Sequence, residues 1–140
     1  MGYITLSKNK QSYKLSTSAV MMNYILVFIG GGLGSICRYG ISDFLSKYGY
    51  NFPVATLVAN IISCIILGFL VGLSMKAESS QVQKFLLMTG FCGGFSTFST
   101  FTNETFQLLQ ANQYLYALAN VGISIFICLV CIGVGVKLGQ

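Results

Sequence analysis

The segment with the richest chemistry runs from Gly90 to Glu104, where glycines are followed by phenylalanines alternating with Ser and Thr. Gly93 and Gly94 are adjacent, and each glycine inside a helix costs about 1 kcal/mol relative to alanine. The hydroxyls after them compete for backbone hydrogen bonds. One interpretation is a helix break, which inside a membrane would leave backbone groups to be satisfied by an ion or water. The other is a small-residue notch for close helix packing.

Two aromatic residues in this segment, Phe98 and Phe101, are three positions apart. That spacing places both rings on one face of a helix, next to the hydroxyls of Ser99 and Thr100. A phenyl ring has a positive edge, so ring edges can line an anion path without a full cation that would trap the ion. Ordinary helix packing is the alternative role for either ring.

Polar residues recur every four positions in two other apolar stretches. Thr56 and Asn60 share one helical face, and an amide inside a membrane is costly unless it is paired or wet. A later stretch repeats the four-residue step with Tyr116, Asn120, Ser124 and Cys128. One such row of polar residues can serve to hydrogen-bond a neighbouring helix. Three rows, one on each of three helices, favour a pore or a vestibule.

Charges inside the apolar stretches are few, and each has several interpretations. Arg38 either attracts anions towards a vestibule or serves a structural role, bonding backbone carbonyls or reaching the membrane interface. Glu104 either pairs with a cation, bonds hydroxyls or stays protonated. There is no His, no pair of carboxylates and no nucleophile beside a base, so the sequence predicts that the protein is not an enzyme.

These residues must be positioned by membrane helices, because 54% of the 140 side chains are hydrophobic and only 8% are charged. So few charges cannot cover a water-soluble globule of this size. A membrane helix needs about 20 mostly apolar residues. Four stretches satisfy this requirement: Tyr24–Leu45, Val54–Met75, Phe85–Leu109 and Leu115–Leu138. The sequence thus predicts an all-α integral membrane protein of four transmembrane helices, the third broken mid-membrane by the glycine pair.

Residues 1–20 are polar and are followed by Met21 and Met22. We expect a disordered tail or a start-site extension, with the four-helix transmembrane channel domain spanning residues 21–140. A cleaved signal peptide is disfavoured because the apolar stretch continues to Ile36 without a small-residue cleavage site. The net charge of +5 does not indicate nucleic-acid binding, since the basic residues are dispersed. The five cysteines lie in apolar stretches and are expected to be buried, reduced, small hydrophobes.

Taken together, these residues resemble the Fluc/CrcB family of fluoride channels. The resemblance covers residues 23–138 and rests on three blocks: residues 30–39, residues 56–60, and residues 93–101 with Glu104. It implies an antiparallel, dual-topology dimer of four-helix subunits in the cell membrane, with two fluoride pathways. Fluoride would leave the cytoplasm passively. The alternative function is a proton-coupled small multidrug exporter, which needs a carboxylate in the middle of its first helix, where this chain has Arg38.

The resemblance also implies roles for single residues. The backbone carbonyls of Gly93 and Ser96 would hold a structural sodium ion (Na+) at the dimer interface. Phe98 and Phe101 would present ring edges to fluoride, and Asn60 would be the pore-lining amide. The neighbouring hydroxyls would belong to Thr56, Ser99, Thr100 and Ser124.

The lysines bear on how two chains would pair. With both termini in the cytoplasm, Lys76, Lys84 and Lys137 lie inside and Lys47 outside. The lysines of the tail would strengthen this bias and favour one orientation. The partner is then either a second copy of the chain or an oppositely oriented relative.

Overall fold

The computed structural model describes residues 17–77 and 79–140, and every regular element in these ranges is a helix. Helix α1 spans Thr17–Ser46 and α2 spans Val54–Lys76. The next helix, α3, begins as a π-helix over Val82–Cys92 and ends in one α-helical turn, Gly93–Phe95. It is followed by α4 over Phe98–Gln110 and α5 over Tyr114–Gly139.

The observed helices cover all four predicted stretches except Ser96 and Thr97, which interrupt the third. The start of α2 at Val54 coincides with the prediction, because Pro53 at the N-cap cannot donate to a preceding turn. The turn between α4 and α5 is closed by Asn112 in the left-handed conformation, at φ 59°. Residues 17–20 of the predicted tail belong to α1, and residues 1–16 lie outside the described residues.

Three helices are long and apolar enough to cross a membrane: Ser18–Ser46 within α1, Val54–Lys76 and Tyr114–Gly139. Their outward side chains are large and apolar. Phe28 on α1, for example, is 82% exposed, and Leu115 on α5 is 79% exposed. A contiguous apolar surface of this kind belongs against lipid or another protein rather than water.

The helices pack as two pairs that glycines bring into close contact. On α2, a Cβ added at Gly68 would overlap the backbone oxygen of Ile132, and one at Gly72 would overlap that of Val136. Both partners advance by four residues, so α2 and α5 run parallel in a fixed register. The positions on α5 that face α2 are Gly135 and Gly139, where an added Cβ would likewise meet backbone.

The second pair is α1 with α3. Gly30 of α1 lies against the backbone of Leu86, and Gly34 lies against that of Phe91. These contacts also advance in the same direction on both helices, so α1 and α3 are parallel. Without side chains at these positions, the two backbones approach closely enough for dispersion contacts along the helix.

The predicted break at the glycine pair is wrong in its position. Gly93 is helical, with φ −66° and ψ −36°, and Gly94 lies in the same turn. A Cβ on Gly94 would come within 2.9 Å of the Cα of Gly31, so Gly94 is the packing notch that the sequence offered as the alternative. The chain leaves the helix two residues later, at Ser96.

The expectation that all five cysteines are buried is also wrong. Cys92 is buried, but Cys37 is exposed, and Cys64, Cys128 and Cys131 are half-buried. All five are free thiols. Cys128 and Cys131 have Cys-x-x-Cys spacing on α5, which places the two side chains less than one helical turn apart.

Candidate functional site

The site is built around the interruption between α3 and α4. Ser96 and Thr97 are extended, with φ and ψ of −74° and 155° at Ser96 and of −149° and 120° at Thr97. Asn60 of α2 holds this interruption from the side. Its Oδ1 accepts a hydrogen bond from the Thr97 N–H at 2.9 Å, and its Nδ2 donates to the Thr97 carbonyl at 3.5 Å.

The interruption leaves two backbone carbonyls without the N–H donors that a continuous helix would provide. In a continuous α-helix the Thr97 N–H would donate to the Gly93 carbonyl, but here it donates to Asn60. The Thr100 N–H would likewise donate to the Ser96 carbonyl, but it donates to the Thr97 hydroxyl at 3.2 Å, which caps α4. The carbonyls of Gly93 and Ser96 are therefore both released from their helical partners.

A cavity of about 250 Å³ lies beside the interruption, between α2, α4 and α5. Its wall contains no charged residue and is formed by Asn60, Cys64, Ser96, Thr97, Phe98, Phe101, Ser124, Ile125 and Cys128. The Phe98 and Phe101 rings are 5.8 Å apart between centroids and tilted by 36°. Phe98 is 79% exposed, so the cavity is open on that side of the single chain.

Four residues that the sequence assigned to an anion pathway thus line one cavity: Asn60, Phe98, Phe101 and Ser124. The structure does not bring the other three there. Thr56 is buried and donates to Glu104 Oε1 at 2.8 Å. The hydroxyls of Ser99 and Thr100 lie 3.3 Å and 3.0 Å from the Thr97 hydroxyl and form a cluster at the start of α4.

Glu104 lies between the core and a second cavity. Its Oε2 is buried and has no hydrogen-bond partner among the described residues. The second cavity, about 360 Å³, is formed by the loops before α2 and α5 and by the end of α4: Tyr50, Asn51, Phe52, Pro53, Glu104, Gln107, Leu108, Ala111 and Gln113. The sequence left three roles open for this carboxyl group. The structure shows one of them, a hydrogen bond from a hydroxyl, that of Thr56.

Arg38 lies on the opposite side of the interruption. Its Nε donates to the Gly94 carbonyl at 3.5 Å, and the Ser35 hydroxyl donates to the same oxygen at 3.4 Å. Arg38 therefore bonds a backbone carbonyl, the structural role that its position suggested. Its attraction of anions stays a prediction.

Sequence reasoning missed Thr97, whose contacts with α2 depend on tertiary packing. It also missed the exact partner of Asn120, which is 1% exposed and donates to the Thr105 hydroxyl at 2.9 Å. The Ser124 hydroxyl donates to Asn120 Oδ1 at 3.4 Å. The matching four-residue steps of α2 and α5 indicated that Asn60, Cys64, Ser124 and Cys128 share one wall, but they gave no signal for the contact of Asn120 with Thr105 on α4.

Comparisons with known proteins agree with one another. A family model described as "CrcB-like protein, Camphor Resistance (CrcB)" matches residues 25–136. A Flavobacterium psychrophilum protein named fluoride-specific ion channel FluC is 42% identical over 122 residues, 86% of this chain and 98% of the relative. A Pyrococcus abyssi protein of the same name is 44% identical over 117 residues, 83% of this chain and 94% of the relative.

A third similar protein, from Coxiella burnetii, carries the same name and is 38% identical over 122 residues, 85% of this chain and 98% of the relative. Together with the three long apolar helices, these matches make the chain a multi-pass protein of the cell membrane. Since the family model and these relatives span most of its length, the chain belongs to the CrcB-like protein family.

Proposed function

We propose that this chain is a fluoride-selective channel that lets fluoride leave the cytoplasm passively. The observation that carries this proposal is the uncharged cavity in which two phenylalanine rings face an amide and a hydroxyl. The names of the relatives, fluoride-specific ion channels matched over nearly their whole length, support the same conclusion. The activity is conduction rather than enzymatic turnover.

The cavity can replace water around a small anion by weak, distributed contacts. An amide nitrogen carries two N–H donors, and Asn60 Nδ2 donates one of them to Thr97. The second is left for an anion in the cavity. Ring edges of Phe98 and Phe101 add partial positive charge, and no Lys or Arg side chain lines the wall to trap the ion.

No pump is required for this direction of transport. Fluoride enters a cell as neutral HF from acidic surroundings and is trapped inside as the anion. A membrane potential that is negative inside drives an anion outward. A passive pathway that excludes chloride would therefore be enough to lower cytoplasmic fluoride without discharging the membrane.

We further propose that α3 and α4 together form one membrane-spanning segment, broken at Ser96 and Thr97, and that two chains associate in opposite orientations. In support, α3 runs parallel to α1, which is long enough to span. Phe98, beside the cavity, is 79% exposed in the single chain. Gly93 is exposed as well, and a Cβ built there meets no atom within 4 Å. A second chain on this side would complete the cavity wall.

A structural sodium ion fits the same surface. The described residues contain no group of three or more His, Cys, Asp or Glu that would hold a metal. Carbonyl oxygens are suitable ligands for hard cations, and those of Gly93 and Ser96 have lost their helical partners to Asn60 and Thr97. Two chains would supply four such oxygens. A bound ion would fix the relative position of the two interruptions.

Fluoride efflux from liposomes tests the function directly. Purified protein is reconstituted into liposomes loaded with potassium fluoride, and valinomycin is added to carry the compensating potassium. A fluoride electrode should record rapid release, whereas parallel liposomes loaded with potassium chloride should release chloride hardly faster than protein-free liposomes. Equal release of the two anions would contradict the proposal. Uptake of organic cations driven by a pH gradient would instead indicate an exporter.

A further inference from the structure

Two cysteines on the cavity wall face each other across α2 and α5. Cys64 of α2 and Cys128 of α5 both line the 250 Å³ cavity. The helix register explains why they share this wall: Gly68 packs on the backbone of Ile132, so one turn earlier residue 64 lies opposite residue 128. Neither thiol forms a disulfide, and both are half-buried. The anion pathway proposed above makes no use of them.

Paired thiols in an apolar wall have a defined ligand preference. Thiolate sulfur is soft and selects soft ions such as Cu+. Zinc prefers four ligands in a tetrahedron, which the described residues do not provide. Ions of filled d shell that accept two ligands in a line, such as Ag+, Cu+ and Hg2+, need only two sulfurs on opposite sides.

We propose that Cys64 and Cys128 form a two-thiol site for a soft, linearly coordinating metal ion, and that this ion closes the cavity. On binding of Hg2+, two S–H bonds break and two metal–sulfur bonds form. Two protons pass to solution, and no atom is oxidised or reduced. The bound ion joins α2 to α5 and fills space next to Phe98. The closure, but not the binding, rests on the proposed channel function.

Binding is tested on the full chain with Hg2+ supplied in the presence of excess 2-mercaptoethanol. The monothiol strips mercury from single cysteines, whereas two thiols held together act at a high effective concentration. The unaltered protein should retain one Hg2+ per chain after gel filtration and show thiolate-to-mercury absorption in the ultraviolet. Cys64→Ser and Cys128→Ser should each lose both signals.

Two other cysteines provide matched controls. Cys37→Ser alters the exposed thiol on α1, and Cys131→Ser alters the neighbouring thiol on α5. Both variants should retain one Hg2+ per chain. Retention by Cys64→Ser or Cys128→Ser, or loss in Cys131→Ser, would overturn the assignment. If a serine variant fails to fold, the alanine variant of the same position replaces it.

Flux measurements test the closure separately. Addition of Hg2+ with the monothiol should stop fluoride efflux through the unaltered protein, with each variant compared with its own metal-free rate. Loss of even outer-shell partners weakens metal binding about 10- to 100-fold, so Cys64→Ser and Cys128→Ser should need at least about tenfold more Hg2+. Unchanged sensitivity would overturn the closure. Absent efflux in every metal-free sample would instead count against the channel function, while the binding result stands.

Discussion

Asn60 is the side chain on which the interruption most depends. It satisfies both the N–H and the C=O of Thr97 through one amide, and it also lines the cavity. Its position within a membrane helix, in the second turn of α2, would be costly if the amide were unpaired. The structural role and the proposed contact with fluoride therefore fall on one residue.

The first prediction concerns the removal of this amide. Asn60→Ala leaves the Thr97 N–H without a partner, and an unsatisfied buried donor costs about 1–3 kcal/mol. We expect lower thermal stability in detergent and a strong loss of fluoride efflux. Asn103→Ala, an exposed asparagine on α4, is the matched control and should change neither quantity. Full efflux with Asn60→Ala would show that the amide does not contact fluoride.

The second prediction concerns the two rings. Phe98→Ile and Phe101→Ile keep apolar bulk but remove the positive ring edge. Each variant should slow fluoride efflux severely, while gel filtration shows normal assembly. Phe106→Ile, an exposed ring further along α4, should leave the rate unchanged. If efflux persists unchanged in both cavity variants, the rings act only as packing.

Residue patterns predicted part of this site and could not predict the rest. Helical periodicity depends on local spacing alone. The three-residue step from Phe98 to Phe101 and the four-residue step from Thr56 to Asn60 therefore predicted which residues share a helix face. Thr97 was missed because its role comes from a contact with another helix. The family resemblance implied that Thr56 is a hydroxyl neighbour of the fluoride pathway, but it lies one turn from Asn60 and donates to Glu104 instead.

At the level of the helices, the main role of glycine is to let two helix backbones approach each other closely, rather than to make a helix flexible. An added Cβ on Gly135 would lie 2.8 Å from the Phe69 nitrogen and 3.0 Å from the Gly68 Cα. Gly133, on the same helix, is exposed and would meet nothing within 4 Å. Two glycines separated by one residue thus have different roles.

The third prediction uses this pair. Gly135→Ala must push α5 away from α2, so we expect a lower melting temperature and weaker efflux. Gly133→Ala should be neutral or stabilising by up to about 1 kcal/mol, because alanine favours the helix. Detergent melting curves of the two variants measure the difference. Equal curves would mean that α2 and α5 are not held at the observed distance.

Composition and charge spacing were sufficient to predict the helices, since a bilayer leaves a chain few other structures. The position of the break was beyond the sequence. Helix propensity gives Gly93 and Gly94 the same cost whether they break a helix or admit a neighbour. The backbone of Gly31, which lies against Gly94, shows that this glycine serves helix packing. The hydrogen bond from the Thr97 N–H to Asn60 shows where the helix ends.

On the scale of the whole molecule, the single chain leaves unusual features on its outside. Phe98 and Gly93 are exposed beside the interruption, which supports a partner on this face. The parallel pairs α1–α3 and α2–α5 place Lys47 at one end of the bundle and Lys76 and Lys137 at the other. Orientation in the membrane is thus set by few charges.

The fourth prediction addresses this partner. Gly93→Cys adds a thiol on the exposed face, and a short bifunctional thiol reagent should yield a crosslinked dimer on a denaturing gel. Gly133→Cys, which is also exposed, and the unaltered chain with its own five cysteines are the controls. A dimer band no stronger than in these controls would count against association through this face.

Orientation needs a second measurement. A membrane-impermeant thiol reagent should label Tyr48→Cys, which keeps the neighbouring Lys47, to comparable extents from inside and outside if copies insert both ways. Labelling from one side alone would indicate a single orientation, and the chain would then pair with an oppositely oriented relative rather than with itself.

The parallel seam between α2 and α5 has two unlike halves. From Thr56 to Cys64 it carries amides, hydroxyls and thiols, whereas from Gly68 to Gly72 backbone touches backbone. No ion can pass between atoms in such contact. The seam is consequently closed beyond Cys64, and in the proposed channel fluoride that reaches this point has to leave the seam past Phe98. The proposed route across the membrane is therefore bent, and its second half runs along the surface that a neighbouring chain would cover.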